Sequence, residues 1–344
     1  MAKLHNLLRN LGFWVSRKIN YPLVTPDIIQ ISLTYRCNLR CKMCSIVNLS
    51  SEQKELTSEQ VFHIINEAKD FGIKQVLLTG GEPFLRQDIF EICEYSFRQG
   101  LKNIITSNGT LIDHEMAEAI ADSGVSHIHF SLDGREEAND FFRGEGAFKK
   151  IVKGIQLLGK KRNKERFFSI GIAVTIMNKN VKDLYKIVEL ADDLNVDSVN
   201  FQPLLKDNTN FINQGLPEFW LKNSDISILE EEILKINNFK PRYTTVYQEP
   251  RLELLVKYYQ GKLTKRDWVC FGGFKTVFVC YAEGEPLVYS CHGICGNLDK
   301  TSLKKSWVSK EAYKRRLHSK TCRNLCLQTC YSKESAQHFI NLAQ

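Results

Sequence analysis

The segment Cys37-Asn38-Leu39-Arg40-Cys41-Lys42-Met43-Cys44 sets three thiols within eight residues. As thiolates, such sulfurs are soft ligands suited to iron or zinc. Iron–sulfur clusters that only carry electrons normally take four cysteine ligands, so a 4Fe-4S cluster held by this loop alone would keep one iron open to another ligand. The spacing also fits a zinc ion borrowing a fourth ligand such as His63, or buried inert cysteines. Eleven cysteines, an odd number, argue against a fully paired disulfide framework. They are grouped: three lie in residues 37–44, seven from Cys270 onward, and only Cys93 between. That grouping suits metal ligation in a reducing compartment, and a cytoplasmic location is expected.

Other short polar segments could serve a ligand held at such a centre. In Thr79-Gly80-Gly81-Glu82-Pro83 the glycines allow close backbone approach, and the carboxylate can accept hydrogen bonds from an ammonium. Ser107-Asn108-Gly109 and Ser131-Leu132-Asp133-Gly134 present short polar side chains at turn pairs. Asp140-Phe141-Phe142-Arg143-Gly144 supplies a guanidinium able to grip a carboxylate with two hydrogen bonds, or to form a surface ion pair. Taken singly, each is also an ordinary turn or loop.

The elements that must position these groups follow from periodicity. From about residue 28 to 205, β-branched runs alternate with helical patterns: IIQISLT, KQVLLTG, KNIITSN, SHIHFSLD, SIGIAVTIM and SVNFQPLL read as strands. Thr57 with Gln60 three residues on is a capping-box pattern that starts a helix at Ser58, predicted to run to Phe71. Six βα units imply a parallel sheet, either an open doubly wound layer or part of a barrel. In both, ligands sit at the carboxyl ends of the strands, where the motifs above fall.

The cysteine triad, in its place after the first strand, resembles the signature of the radical S-adenosylmethionine (SAM) superfamily, over about residues 28–205. The resemblance implies an α/β fold, a partial (βα)6 TIM-like barrel, with Cys37, Cys41 and Cys44 holding a 4Fe-4S cluster whose open iron binds the amino and carboxylate groups of SAM. An electron from that cluster would break the carbon–sulfur bond and give a 5'-deoxyadenosyl radical. By the same resemblance Met43 touches the adenine, and Gly80, Gly81, Glu82 and Pro83 form the GGEP motif that holds the methionine amino group. Ser107, Asn108, Ser131 and Asp133 match stations facing the ribose and the methionine carboxylate. Asp140 to Gly144 is similar to a D-x-x-R-G element in which Arg143 pairs with the SAM carboxylate. Asn200 to Leu204, with Gln202, is similar to the segment on the adenine side. A reductant such as flavodoxin or ferredoxin is the implied partner.

After Leu205 the βα rhythm stops. KDNTNFINQGLPEFW reads as a connector before helical material from about 225 to 262. Two strands follow around Ala282-Glu283-Gly284-Glu285-Pro286, with Cys270 before this hairpin and Cys291 at its end. A last helical segment is expected to carry Cys322, Cys326 and Cys330. This order resembles a SPASM or shorter twitch appendage, although the cysteine run is sparser than a full SPASM domain and no later cysteine follows Cys330. One auxiliary 4Fe-4S cluster is expected, ligated by Cys270, Cys291 and two of Cys322, Cys326 and Cys330, with two clusters as the larger alternative and a structural zinc site as the plain one. Cys280 is expected in the core, and Cys295 is unassigned. The expected organisation is a lead-in helix over 1–27, a core over 28–205, a connector with helices over 206–262 and a cysteine-rich extension over 263–344.

Composition excludes other classes. With 43% hydrophobic and 25% charged residues the chain is expected to fold. The net charge of +8 is scattered without a block of like charges, so nucleic-acid binding is not expected. No run of 18 apolar residues is present to span a membrane. LHNLLRNLGFWVSRKIN, residues 4–20, lacks a signal-peptide cleavage pattern. As an amphipathic helix, residues 3–19 either pack on the domain or rest on a membrane surface. The expected function is hydrogen abstraction from a substrate, ending in oxidation or bond formation assisted by the auxiliary cluster. With about 27 residues before the first strand, too few for a peptide-recognition module, a small molecule (a sugar, a nucleotide-linked intermediate or a cofactor precursor) is favoured over a ribosomal peptide or protein. A non-enzymatic iron–sulfur electron carrier is the reading from another class. Asp207, Tyr247 and Glu249 are candidate proton acceptors without a distinguishing signal, so the general base is unassigned.

Overall fold

A computed structural model describes residues 2–46, 54–162, 168–205, 217–248, 250–291, 293–323, 325–327 and 332–334. Its centre is a parallel sheet built from β1 (Ile28–Thr34), β2 (Gln75–Gly80), β3 (Lys102–Ser107), β4 (Val125–Ser131), β5 (Ser169–Ile176) and β6 (Ser198–Pro203), paired in that order. Parallel strands need long crossovers, and α2 (Ser58–Phe71), α3 (Ile89–Arg98), α4 (His114–Asp122), α5 (Glu136–Arg143), α6 (Ala147–Lys161) and α7 (Leu184–Asp193) supply them. The capping box at Thr57 forms as read, with Gln60 N–H donating to the Thr57 hydroxyl and Thr57 N–H donating to the Gln60 side chain.

Alternation along the strands sorts residues between the two faces. Ile29, Ile31, Val76, Leu78, Ile105, Ile128, Phe130, Ile170, Ile172, Val199 and Phe201 are at most 1% exposed. They share one apolar core with Val61, Ile64 and Ile65 of α2, Ile151 and Ile155 of α6, and Ile187 and Val188 of α7. Each large aliphatic side chain buried here contributes about 1.5–3 kcal/mol. The opposite face carries Gln30, Thr79, His127, His129, Ser169, Ser198 and Asn200, a polar set that a solid barrel core would not hold.

The sheet continues past both ends of the six-strand unit, to ten strands in the order β11-β10-β9-β1-β2-β3-β4-β5-β6-β7. After α8 (Asn223–Asn238), β7 (Thr245–Val246) adds in parallel to β6, and α9 (Leu252–Tyr259) and β8 (Trp268–Cys270) follow. β9 (Thr276–Ala282) pairs in parallel with β1 over Ile28–Ile31, so the expected hairpin of β9 and β10 (Glu285–Ser290) is joined to the core sheet by hydrogen bonds. Its two-residue turn, Glu283 and Gly284, has φ of 55° and 85°, the positive pair that matches strand twist. β11 (Gly293–Asn297) forms the edge, then α10 (Leu303–Val308) and α11 (Lys310–Thr321) pack back onto it. A short β12 (Ser332–Glu334) pairs with β8. The helix expected to carry Cys322 and Cys326 stops earlier: α11 ends at Thr321, Cys322 is its cap, and Cys326 lies in irregular backbone. α1 (Ala2–Ile19) docks outside the sheet through Phe13, against Phe271 and Phe274.

Candidate active site

The thiol loop leaves β1 and is held by its neighbours' backbone. Gly81 N–H donates to Thr34 O at 2.7 Å and Glu82 N–H to Arg36 O at 2.8 Å, so the end of β2 is laced to the chain just before Cys37. A Cβ on Gly81 would lie 2.0 Å from Arg36 O, and one on Gly80, at φ +133°, 2.2 Å from Thr34 O. Only glycine allows this approach. On the other side Lys42 N–H donates to Phe142 O at 2.9 Å, tying the loop to α5.

Glu82 is 1% exposed and faces the tip of β3. Its carboxylate accepts from Ser107 Oγ at 2.8 Å and from Asn108 N–H at 2.7 Å, with Phe84 N–H at 3.3 Å. Burial nevertheless pushes its pKa up to about 7 against those hydrogen bonds and the charge of Arg143. Asn108 reaches on to the loop: its Nδ2 donates to Asn38 Oδ1 at 2.9 Å and lies 3.8 Å from Cys37 Sγ. Burial raises the Cys37 thiol and brings Cys41 to about 11. Cys37 also feels the charges of Glu82 and Cys44, while Cys41 feels Arg143, Cys44 and Cys37. Thiols, carboxylate and guanidinium therefore form one electrostatic neighbourhood. Among the described residues no three His, Cys, Asp or Glu side chains close around a single ion. His63 lies with Gln60, Pro286 and Leu298 around another hollow, so the zinc alternative does not find the ligand named for it.

The D-x-x-R-G element resolves into separate jobs. Asp140 accepts from Gly146 N–H and Phe148 N–H, both at 2.7 Å, and so ties down the first turn of α6. Gly144 takes φ +108°. Arg143 is committed to Asp133, which it grips at 2.8 Å from Nε and 2.6 Å from Nη2. Asp133 is wholly buried and also accepts Thr175 N–H at 2.7 Å. Met43 packs beside Phe142, Met177, Leu204 and Phe219, an apolar wall suited to a planar ring. Ser131 and Gln202 sit at the carboxyl ends of β4 and β6 and are half-buried.

In the extension, Cys270 feels the charges of Cys326 and Cys322, and burial raises it to about 12. Gly272 lies between Cys270 and Cys291: a Cβ there would be 3.0 Å from Cys291 Cβ and 3.3 Å from Cys270 Sγ. Thiols from β8, the end of β10 and the segment after α11 thus face one neighbourhood, although among the described residues no three of them close around a single ion. Cys280 is in the core, 3% exposed, among Tyr35 and Tyr289, and Cys295 is equally buried in the main apolar core. Cys330, Asp207 and Glu249 lie outside the described residues. Tyr247 is 48% exposed beyond the end of the sheet, with its N–H bonded to Val199 O.

The sequence reading missed a histidine pair on β4. His127 Nδ1 contacts Ser169 Oγ, and its Nε2 lies 3.2 Å from His129 Nδ1. Burial lowers the pKa of His127 and pushes His129 down to about 3. Ser198 Oγ and Asn200 Oδ1 on β6 share this face, are buried and have no hydrogen-bond partner. The signal was present in His-Ile-His, two histidines at strand spacing. Just past β6, Leu205, Trp220, Tyr258, Tyr259, Arg323 and Cys326 border a cavity of about 410 Å³.

Residues 31–191 match the Radical SAM superfamily. Fe-coproporphyrin III synthase of Methanosarcina barkeri is 34% identical over 180 residues, 52% of this chain and 44% of that protein. The AdoMet-dependent heme synthase of the same organism is 37% identical over 172 residues, 49% of this chain and 48% of that one. The chain thus spans about half the length of these curated relatives. The fold is shared more widely: SuiB of Streptococcus suis superposes with a TM-score of 0.66 at 15% identity, covering 91% of this chain and 72% of SuiB. Residues 31–191 are therefore similar to the radical SAM superfamily, a family that uses a 4Fe-4S cluster and S-adenosylmethionine.

Proposed function

We propose that the protein is a radical SAM enzyme that abstracts hydrogen from a small polar molecule, with Cys37, Cys41 and Cys44 as the ligands of the SAM-binding cluster. The observation that carries this reading is Glu82. A buried carboxylate, held by Ser107 and Asn108 near the Cys37 thiol and with no ion-pair partner in direct contact among the described residues, is the partner an α-ammonium group requires. The residues present fit both cofactors. Three thiols suit a cluster with one open iron, and Met43 with Phe142 and Leu204 suits an adenine ring. When bound, the cluster and SAM would supply one-electron cleavage of a carbon–sulfur bond.

The chain's own residues do the rest. Glu82 orients an ammonium, and Asn108 bridges Glu82's strand to the Cys37 loop. Asp133, already satisfied by Arg143 and Thr175, holds the tips of β4 and β5 together. Arg143 therefore acts on any carboxylate as a fixed positive charge beside Cys41 rather than as a free clamp. Gly80, Gly81 and Pro83 shape the turn, while Ser131 and Gln202 supply the remaining polar rim.

A small-molecule substrate is supported by the cavity of about 410 Å³, within the usual range for such ligands, and by the unpartnered Ser198 and Asn200. Its position against Cys326 supports a role for an auxiliary cluster held by Cys270, Cys291, Cys322 and Cys326. Residues 28–205 would be the catalytic core, 206–262 the connector and 263–344 the cluster-bearing extension, with flavodoxin or ferredoxin as reductant in the cytoplasm. Anaerobically reconstituted protein, reduced and given SAM, should release 5'-deoxyadenosine. Glu82→Gln should weaken SAM binding at least about tenfold, because one side-chain oxygen becomes an N–H facing Asn108 N–H and the ammonium loses its counter-charge. Isotopically labelled SAM in cell extract would then identify the hydrogen donor. No 5'-deoxyadenosine, together with unchanged SAM binding in Cys41→Ala and Glu82→Gln, would sink the proposal.

A further inference from the structure

α1 is amphipathic in an unequal way. Its inner face is pinned. Phe13 is 2% exposed, Trp14 meets Phe271 edge-on at 5.1 Å, Arg9 Nε donates to Asp27 at 2.7 Å, and Arg17 Nε donates to Cys270 O at 2.8 Å. Its outer face is left bare. Leu7, Leu8, Leu11, Val15 and Ile19 are 53%, 59%, 58%, 39% and 52% exposed, and their spacing of three to four residues makes one stripe. Tyr21 and Leu23 prolong it at 51% and 56%. Asn20 Nδ2 donates to Tyr313 O and Lys320 Nζ to Lys18 O, which brings α11 alongside with Tyr313 and Leu317, 45% and 41% exposed. Nine of the fifteen large apolar side chains exposed among the described residues belong to this one surface. Isolated exposed leucines need no account, but a contiguous apolar strip of this size does.

The charge around the strip selects the occupant. The first 26 residues contain no Asp or Glu, and of their cations Lys18 is exposed while Arg9 and Arg17 are held by Asp27 and the Cys270 carbonyl. α11 adds Lys310 and Lys320, while its Lys314 and Arg315 pair with Glu311 and its Arg316 is buried. Lys320 is lowered first by burial and then by Arg17 and Arg316, so cations crowd at the end of the strip. An apolar stripe lying along a helix and edged by cations matches the boundary of a bilayer whose headgroups are negative.

We propose that the outer face of α1, continued by Tyr21, Leu23, Tyr313 and Leu317, rests on an anionic lipid surface. No described helix is long and apolar enough to cross a membrane, so the contact is in the plane of the interface. The pinned face leaves α1 helical before it binds, so little ordering entropy opposes the contact. It also sets the Cys270 loop directly beneath the bound surface, since Arg17 bridges α1 to that residue's carbonyl.

Flotation of the holoprotein with phosphatidylcholine vesicles, with and without phosphatidylglycerol, tests this. Wild type should float with the anionic vesicles and lose at least about tenfold in affinity on neutral ones or at high salt. The triple variant Leu8→Gln/Leu11→Gln/Ile19→Gln alters only exposed positions, and should lose at least about tenfold on anionic vesicles with an unchanged melting temperature. The assignment is overturned if wild type stays in the aqueous fraction, or if the triple variant floats equally well. It is also overturned if light scattering shows wild type dimeric and the variant monomeric without vesicle binding, because the strip would then be covered by a second copy.

Discussion

Asp133 and Arg143 form a buried pair in which one carboxylate oxygen receives both Nε and Nη2 of the guanidinium, at 2.8 and 2.6 Å. The carboxylate side chain is wholly buried and the guanidinium side chain only 10% exposed. Removing one partner of such a pair strands the other charge, which typically costs about 3–5 kcal/mol. Asp133→Asn should therefore lower the melting temperature steeply, and the double variant Asp133→Asn/Arg143→Met should recover part of the loss. A double-mutant cycle by thermal or urea unfolding checks this. Additive losses would mean that the pair contributes no coupling.

Gly81 is where β2 comes closest to the thiol loop. Alanine there would place its Cβ 2.0 Å from Arg36 O, which is backbone and cannot rotate away. Gly81→Ala should destabilise the protein by about 1–3 kcal/mol and displace Glu82 from the Cys37 loop, with SAM binding lost alongside. Gly159→Ala is the matched control. Nothing lies within 4 Å of its Cβ inside α6, so a gain of roughly 0.5–1 kcal/mol is expected. Equal effects of the two substitutions in unfolding measurements would refute the close-approach account.

Much of this geometry was legible from residue types. The six parallel strands, the helix capped by Thr57 and the turn at Glu283-Gly284 follow from hydrophobic periodicity and local turn chemistry, which act over a few residues. The convergence of Glu82, Asn108 and Cys37 could be anticipated because parallel strands present all their carboxyl ends on one rim. The partnership of Asp133 with Arg143 was not legible, since either group alone could have faced a ligand. Neither was the pairing of β9 with β1, which depends on a return of the chain across more than 240 residues and carries no local signal. The early end of α11 was missed for a local reason: Cys322 takes φ −52° and ψ 132° as the cap, which no composition rule dictates.

The His127–His129 pair makes the fold sensitive to acid. His129 has a folded-state pKa pushed down to about 3 by burial and by His127, against 6.5 when unfolded. Its contribution is complete above pH 6.5. Below that the unfolded chain takes up a proton that the folded protein refuses, so stability falls by at most about 1.4 kcal/mol per pH unit as pH drops from 6.5 toward 3. Urea unfolding midpoints measured between pH 7 and 5 should show this decline, and His129→Gln should flatten it. A variant that keeps the full slope would place the acid-sensitive group elsewhere.

The C-terminal thiols separate into two kinds by their surroundings, and metal content can tell them apart. Cys270 couples to Cys326 and Cys322 from a distant segment, Cys291 backs onto Gly272 beside Cys270, and burial raises Cys270 to about 12. Metal ligation requires thiolates, so the cost of ionising Cys270 is met when a cation binds and its proton is released. Cys280 has no such company, since its neighbours Tyr35 and Tyr289 are hydrogen-bonding phenols. Reconstituted wild type should hold about eight irons, and Cys270→Ala/Cys322→Ala about four, while Cys280→Ala keeps the full complement. Proton release on reconstitution should fall in the double variant alone. Stoichiometric zinc with about four irons in wild type would instead make Cys270 and its neighbouring thiols a structural zinc site, and iron loss in Cys280→Ala would show that β9 contributes a ligand.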